Sequence, residues 1–340
     1  MTTAPRVVPV HEEDVVELQV LPLRRGSSGA PVHDLQARLT ALGYVAITDA
    51  EGEFGPATEA ALREFQKTRG LRADGVCARA TWLELVEAGY RIGDRLLYRR
   101  TPMLRGDDVA DLQCRLSSFG FYAGAIDGIF GDRTASALRE FQRNAGLPVD
   151  SVLGPSTLAE LSRLRSRGGD LVSSVREELQ RASLSLRGAR VAVGEEGGFD
   201  AGSVALIRAL SAAGAISFAL HHPDGSKLAA QANAAQANVY VGLSLLPESQ
   251  ACRTLYYRGF RYESLVSRSL AELLQPQLVG VLGLGDDGIE GMALPVLRET
   301  RMPAVVIELG NPAMVVQHTA DLAGVVVSAL TKWLSASSDS

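Results

Sequence analysis

The chain has 340 residues, 46% of them hydrophobic and 21% charged, which excludes a disordered chain and leaves room for two or three folded domains. A formal net charge of −5 and a pI near 5.7 argue against a dedicated binder of nucleic acid or anionic membrane. The three cysteines, Cys77, Cys114 and Cys252, are odd in number and far apart, and they match no metal-ligand spacing, so they suit a reducing compartment.

Residues 1–20 mix Val, Pro and acidic residues without helical period and read as a flexible leader. The first residues have neither a basic start nor an apolar core followed by a cleavage site, and no run approaches the roughly 18 apolar residues of a membrane helix. The expectation is a cytoplasmic protein without membrane insertion.

An internal repeat follows. Leu35-Gln36-Ala37-Arg38-Leu39 through Leu42-Gly43-Tyr44 returns 77 residues later as Leu112-Gln113-Cys114-Arg115-Leu116 through Phe119-Gly120-Phe121. Phe54-Gly55, Thr58, Leu62-Arg63-Glu64-Phe65-Gln66 and Gly70-Leu71 return 76 residues later as Phe130-Gly131, Thr134, Leu138-Arg139-Glu140-Phe141-Gln142 and Gly146-Leu147. Leu35, Leu39 and Leu42 share one helical face with Gly43 as its stop; Thr58, Ala61, Leu62 and Phe65 mark a second helix; Thr81, Trp82, Leu85 and Val86 mark a third. Each unit, over 21–90 and 96–162, is therefore expected to be a small three-helix bundle. The order Leu23-Arg24-Arg25-Gly26, Leu-Gln, Leu-Gly-Tyr, Phe-Gly, Thr, Phe-Gln and Gly-Leu resembles the peptidoglycan-binding domain of cell-wall hydrolases. Most of these landmarks are packing and turn residues. Tyr44, Tyr122 and Asp127 are the candidates for contact with a glycan or stem peptide.

Residues 163–188, with Arg163, Arg165, Arg167, Gly168 and Gly169, read as a linker carrying a helix over 175–184. From Ala189 strand and helix patterns alternate: strand 190–193, helix 204–213, strand 215–220, helix 227–237, strand 239–245, helix 264–274, a strand ending at Glu308, and helix 320–334. The domain over 189–335 is expected to be a sheet with helices on both faces, followed by a tail at 336–340. The fold class is thus multidomain, α followed by α/β.

The run Arg301-Met302-Pro303-Ala304-Val305-Val306-Ile307-Glu308-Leu309-Gly310-Asn311-Pro312 resembles the zinc-dependent N-acetylmuramoyl-L-alanine amidases. That resemblance implies a catalytic glutamate at Glu308 and a zinc held by a His after the first strand, a Glu before the next helix and a His after the third strand. A three-ligand set with one open position is what catalytic zinc needs. Here the first strand leads into Gly194-Glu195-Glu196-Gly197-Gly198, without the His, and Ser244 stands at the other His position. Only a shifted alignment puts Glu195 at the Glu-ligand position. His221 and His222, adjacent at the end of a strand, point to opposite sides and do not share a metal. The expectation is no metal, no cofactor and a relic Glu308, hence a pseudo-amidase.

Two peptidoglycan-binding-like units before a degenerate amidase-like domain, bridged by Tyr90-Arg91-Ile92-Gly93-Asp94-Arg95-Leu96-Leu97-Tyr98, resemble the actinobacterial CwlM group. This implies a cytoplasmic, non-catalytic regulator of peptidoglycan precursor synthesis. Its implied partners are peptidoglycan or its fragments, the enzyme transferring enolpyruvate to UDP-N-acetylglucosamine, or the lipid-linked precursor flippase. Two further readings stand beside it: an active amidase with an atypical metal site, and a plain wall-binding module.

Overall fold

The computed structural model describes residues 20–45, 48–122, 124–164 and 185–335. The leader to residue 19, the linker helix expected at 175–184 and the tail at 336–340 lie outside them. The chain divides into two compact units, Met1–Asp170 and Leu171–Ser340.

In the first unit, α1 (Ala30–Ala41), α2 (Pro56–Thr68) and α3 (Arg79–Ala88) form one copy of the repeat, and α4 (Asp107–Ser118), α5 (Asp132–Asn144) and α6 (Pro155–Arg163) the other. The expected apolar stripes close the first core through Val32, Leu35, Leu39, Leu62, Phe65, Trp82 and Leu85. Leu112, Leu116, Leu138, Phe141 and Leu161 are buried in the second copy.

The repeated glutamines pin helices to the loops that follow them. The side-chain Nε2 of Gln36, Gln66, Gln113 and Gln142 donates to the hydroxyls of Thr58, Thr81, Thr134 and Thr157 at 3.0–3.2 Å. Each Oε1 accepts a loop N–H, from Gly52, Gly75, Gly128 and Ser151 in turn. All four donors have positive φ, which glycine adopts freely and Ser151 adopts at φ 60°. A buried amide satisfied on both ends fixes the turn without leaving a polar group stranded.

The two copies are tied by charge. Arg69, after α2, forms a fork to Asp107 at 2.7 and 2.9 Å, with Glu84 at 3.6 Å. Arg95 of the bridge donates to Asp108 at 2.7 and 3.1 Å while stacking 3.6 Å over the Tyr90 ring. Tyr90 itself belongs to the core of the first copy.

The second unit runs β1 (Arg190–Glu195), α7 (Asp200–Ala212), β2 (Ile216–His221), α8 (Gly225–Ala234), β3 (Val239–Leu246), β4 (Ala251–Tyr257), α9 (Leu265–Leu282), β5 (Gly285–Met292), α10 (Pro295–Glu299), β6 (Ala304–Gly310), α11 (Pro312–Gln317) and α12 (Thr319–Ser335). The sheet order is β2-β1-β3-β6-β4-β5. β2, β1, β3 and β6 are parallel, β4 runs antiparallel to β6, and β5 is parallel to β4. On one face Val191, Val193, Val241, Leu243, Val305 and Ile307 pack with α7, α9 and α12. On the other Ala192, Tyr240, Ala304 and Val306 pack with α8 and α10. The expected sheet with helices on both faces is present.

β4 and β5 fall in a region without an expected strand, and α9 continues beyond its expected end at Leu274. Pro276 lies inside α9, and proline removes one helix hydrogen bond. Leu278 and Leu282, both buried in the core, keep the following turns packed. Among the described residues no helix is long and apolar enough to cross a membrane.

Candidate functional site

The C-terminal ends of the parallel strands carry the polar groups of the second unit. Side chains alternate along a strand, so Glu308 shares the α8 face with Ala304 and Val306. Register places Ser244 of β3 beside Glu308 on one side and Arg253 of β4 on the other. Glu308 is 1% exposed. Its Oε2 accepts from Arg253 Nε at 2.5 Å, and Arg253 Nη1 reaches Glu290 of β5 at 2.7 Å. Burial works against the Arg253 charge, but the Glu308 hydrogen bond and both carboxylates outweigh it and raise its pKa. The Tyr240 ring covers β1 and β3 on the same face, where a Cβ at Gly194 would overlap its hydroxyl. Burial, and secondarily Glu196, hold the Tyr240 phenol well above its ordinary range.

Glu195 points the other way, sharing the α12 face with Val191 and Val193. It is 2% exposed. Its Oε1 accepts the N–H of Gly197 at 2.8 Å and of Phe199 at 2.7 Å, which shapes the turn into α7. Its Oε2 lies 2.7 Å from Nδ1 of His221, its register partner on β2. Asp200 Oδ1, at the start of α7, is 3.9 Å from the same nitrogen. His222 faces away, its Nδ1 accepting the N–H of Asp224 at 2.9 Å. His221 is thus bonded to a buried carboxylate.

The three residues expected to contact ligand lie in the first unit. Tyr44 is half-buried, its ring edge-on to Phe65 at 5.6 Å, as Phe121 is to Phe141 at 5.7 Å in the other copy. Tyr122, expected to be exposed, is only 3% exposed and donates to the Ala125 carbonyl at 2.9 Å. Asp127 Oδ1 accepts from Gln113 at 2.7 Å and from the Ile129 N–H at 2.8 Å. Asp74 and Asp150 do the same for Gln66 and Gln142, so Asp127 is a member of the pin and its inner oxygen is turned into the protein. The expectation of an exposed contact group is corrected for Tyr122, whose ring closes a core, while Asp127 is half-buried and holds a turn through Oδ1.

The peptidoglycan-binding domain family matches residues 28–85 and 105–161. The N-acetylmuramoyl-L-alanine amidase CwlM of Mycobacterium tuberculosis is 34% identical over 333 residues, spanning 85% of this chain and 81% of that protein. The chain belongs to the CwlM family. CwlL, an N-acetylmuramoyl-L-alanine amidase of Bacillus licheniformis, is 30% identical over 163 residues, and the match spans 45% of its length. Among solved structures, the amidase Ami1 of Mycobacterium smegmatis aligns at 15% identity with a TM-score of 0.37, over 45% of this chain and all of that one.

Zinc is the metal that the amidase resemblance implies, and the donor set on the α8 face does not fit it. Ser244, where the resemblance implies a histidine, offers only a hydroxyl beside Glu308, and Glu308 is already paired with the Arg253 cation. Arg253 and Asp200 were not visible as site residues in the sequence. The first lies on a strand without an apolar alternation, and the second is one of several acids beside paired glycines.

Proposed function

We propose that this CwlM-type chain acts in the cytoplasm as a non-catalytic regulator of peptidoglycan precursor synthesis, binding a protein partner or sensing wall fragments. The observation that carries the reading is the Arg253–Glu308 pair. A glutamate acting as general base must be free to take a proton from a water held by a metal. Glu308 is instead buried against a guanidinium, and its neighbour Ser244 is a poor zinc ligand. The pairing of Glu308 with Arg253, beside an intact sheet and tandem repeats, supports a role in recognition. The partners considered are peptidoglycan precursors or fragments, the enolpyruvate-transferring enzyme and the lipid-linked precursor flippase.

An active amidase with an atypical metal set has one observation in its favour, the Glu195–Asp200–His221 group. That group lies on the α12 face, whereas Glu308 lies on the α8 face. The test incubates the purified chain with muropeptides in the presence of zinc, beside capture of partners from cytosol. No release, together with recovery of a precursor-pathway enzyme, is expected. Glu308-dependent cleavage would overturn the proposal, as would failure to recover either a precursor-pathway enzyme or a wall fragment.

A further inference from the structure

We infer that Glu195, Asp200 and His221 form a binding site for a divalent transition ion of the zinc class, with its one imidazole taken from the end of β2, where the amidase resemblance implies no ligand. The ligand atoms of the three side chains lie within 4.8 Å of one another. Oxygen or nitrogen ligands at zinc distance in a tetrahedron stand about 3.4 Å apart. The His221 Nδ1 separations, 2.7 Å to Glu195 and 3.9 Å to Asp200, straddle that value, so small side-chain rotations suffice to admit an ion.

The chemistry of the donors selects the ion. One imidazole with two carboxylates suits zinc and its neighbours, whereas calcium and magnesium favour oxygen-only shells. The carboxylate is also prepared for the task. Both backbone donors take Oε1 of Glu195, which leaves Oε2 as a single, fixed ligand atom, in the way outer-shell hydrogen bonds orient metal ligands.

Charge balance is an independent observation. Glu195 is 2% exposed, yet among the described residues neither it nor Asp200 has a lysine or arginine within ion-pair distance; the imidazole of His221 is the partner of both. Buried carboxylates elsewhere in the chain have a guanidinium, as Glu308 has Arg253 and Asp108 has Arg95. A metal ion is one of the partners that a buried carboxylate accepts beside hydrogen bonds. His221 and Asp200 are 60% and 84% exposed, so the ion has a path from solvent and room for water in its remaining positions.

Because Glu195 and Glu308 lie on opposite faces, the ion would brace the β1–α7 turn and would not supply Glu308 with a water. The inference therefore does not rest on the regulatory reading, and zinc binding without cleavage is compatible with both.

The test measures zinc content of the full chain after equilibration and removal of free metal, with the thermal midpoint as a second readout. One zinc per chain and a raised midpoint are expected. His221→Ala and Asp200→Asn, both on exposed side chains, should each weaken binding by at least about 100-fold, while His222→Ala and Glu308→Gln retain it. Cobalt substitution should give a visible spectrum that disappears in His221→Ala. Sub-stoichiometric zinc in the parent chain, or stoichiometric zinc kept in His221→Ala and Asp200→Asn, overturns the assignment.

Discussion

Arg253 Nε lies 2.5 Å from Glu308 Oε2, joining antiparallel neighbours β4 and β6 where the parallel part of the sheet ends. Glu290 of β5 is a second carboxylate on the same guanidinium.

Replacing Arg253 by Met should take the guanidinium away from a carboxylate that stays buried. The expected loss is about 2–4 kcal/mol, at the lower end of what breaking a buried pair costs, because Arg253 keeps 24% exposure. Arg253→Met combined with Glu308→Leu should recover most of it. Denaturant unfolding of both variants decides the matter, and equal stabilities for the single and double variants would show that the pair does not hold the sheet.

Much of this architecture was legible in the sequence because it rests on repetition and on apolar runs. The duplicated Leu-Gln and Phe-Gln blocks gave both bundles, and runs such as Val239–Leu245 gave the parallel strands. β5 was not legible: Gly285-Asp286-Asp287-Gly288 opens it, and among the described residues it pairs with β4 alone, so neither composition nor alternation marks it. β4 carries Arg253 in mid-strand, and that charge makes sense only once Glu308 is known to lie opposite. The Glu195–His221 contact depends on parallel register between residues 26 apart, which no local pattern encodes. The glutamine landmarks were visible, but their task as pins requires the loops to be seen folded back.

Arg69 should act as the clamp between the repeats. Its side chain is 5% exposed and forks onto Asp107 of the second copy. Arg69→Met is expected to cost about 3–5 kcal/mol and to speed hydrogen exchange in both α2 and α4. Faster exchange confined to α2 would show that the two copies are stabilised independently.

Ser151 occupies the turn position that is glycine in the other three pins. Ser151→Gly should remove left-handed strain of about 1–2 kcal/mol, offset in part by the entropy of a freer unfolded chain, for a net gain of about 0.5–1 kcal/mol. Gly128→Ala, the reverse change at the equivalent turn, should destabilise by about 1 kcal/mol or more. Thermal midpoints moving in the same direction for both variants would contradict the account.

The pins should also give the repeats an acid-sensitive stability. Asp150 is held below the ordinary carboxylate range by the Val152 N–H and then by Gln142. Asp49 is lowered as well, since hydrogen bonds from Thr58, Ala57 and Gly55 outweigh the opposing effect of its burial. A carboxyl whose folded pKa is depressed contributes stability that is present above its unfolded value of about 3.9 and is lost as pH falls through the lower folded value. Asp108 has the opposite sign: burial outweighs Arg95 and raises its pKa, so its contribution is present at low pH and lost as pH rises through the folded value. Asparagine at 150 keeps an acceptor oxygen and cannot titrate. Asp150→Asn should therefore flatten the fall in thermal midpoint of the repeats below about pH 4, by lowering the midpoint near neutrality while leaving the acid end little changed. Parallel midpoint curves for the parent and the variant from pH 6 downward would mean that these bonds do not differ between the folded and unfolded states.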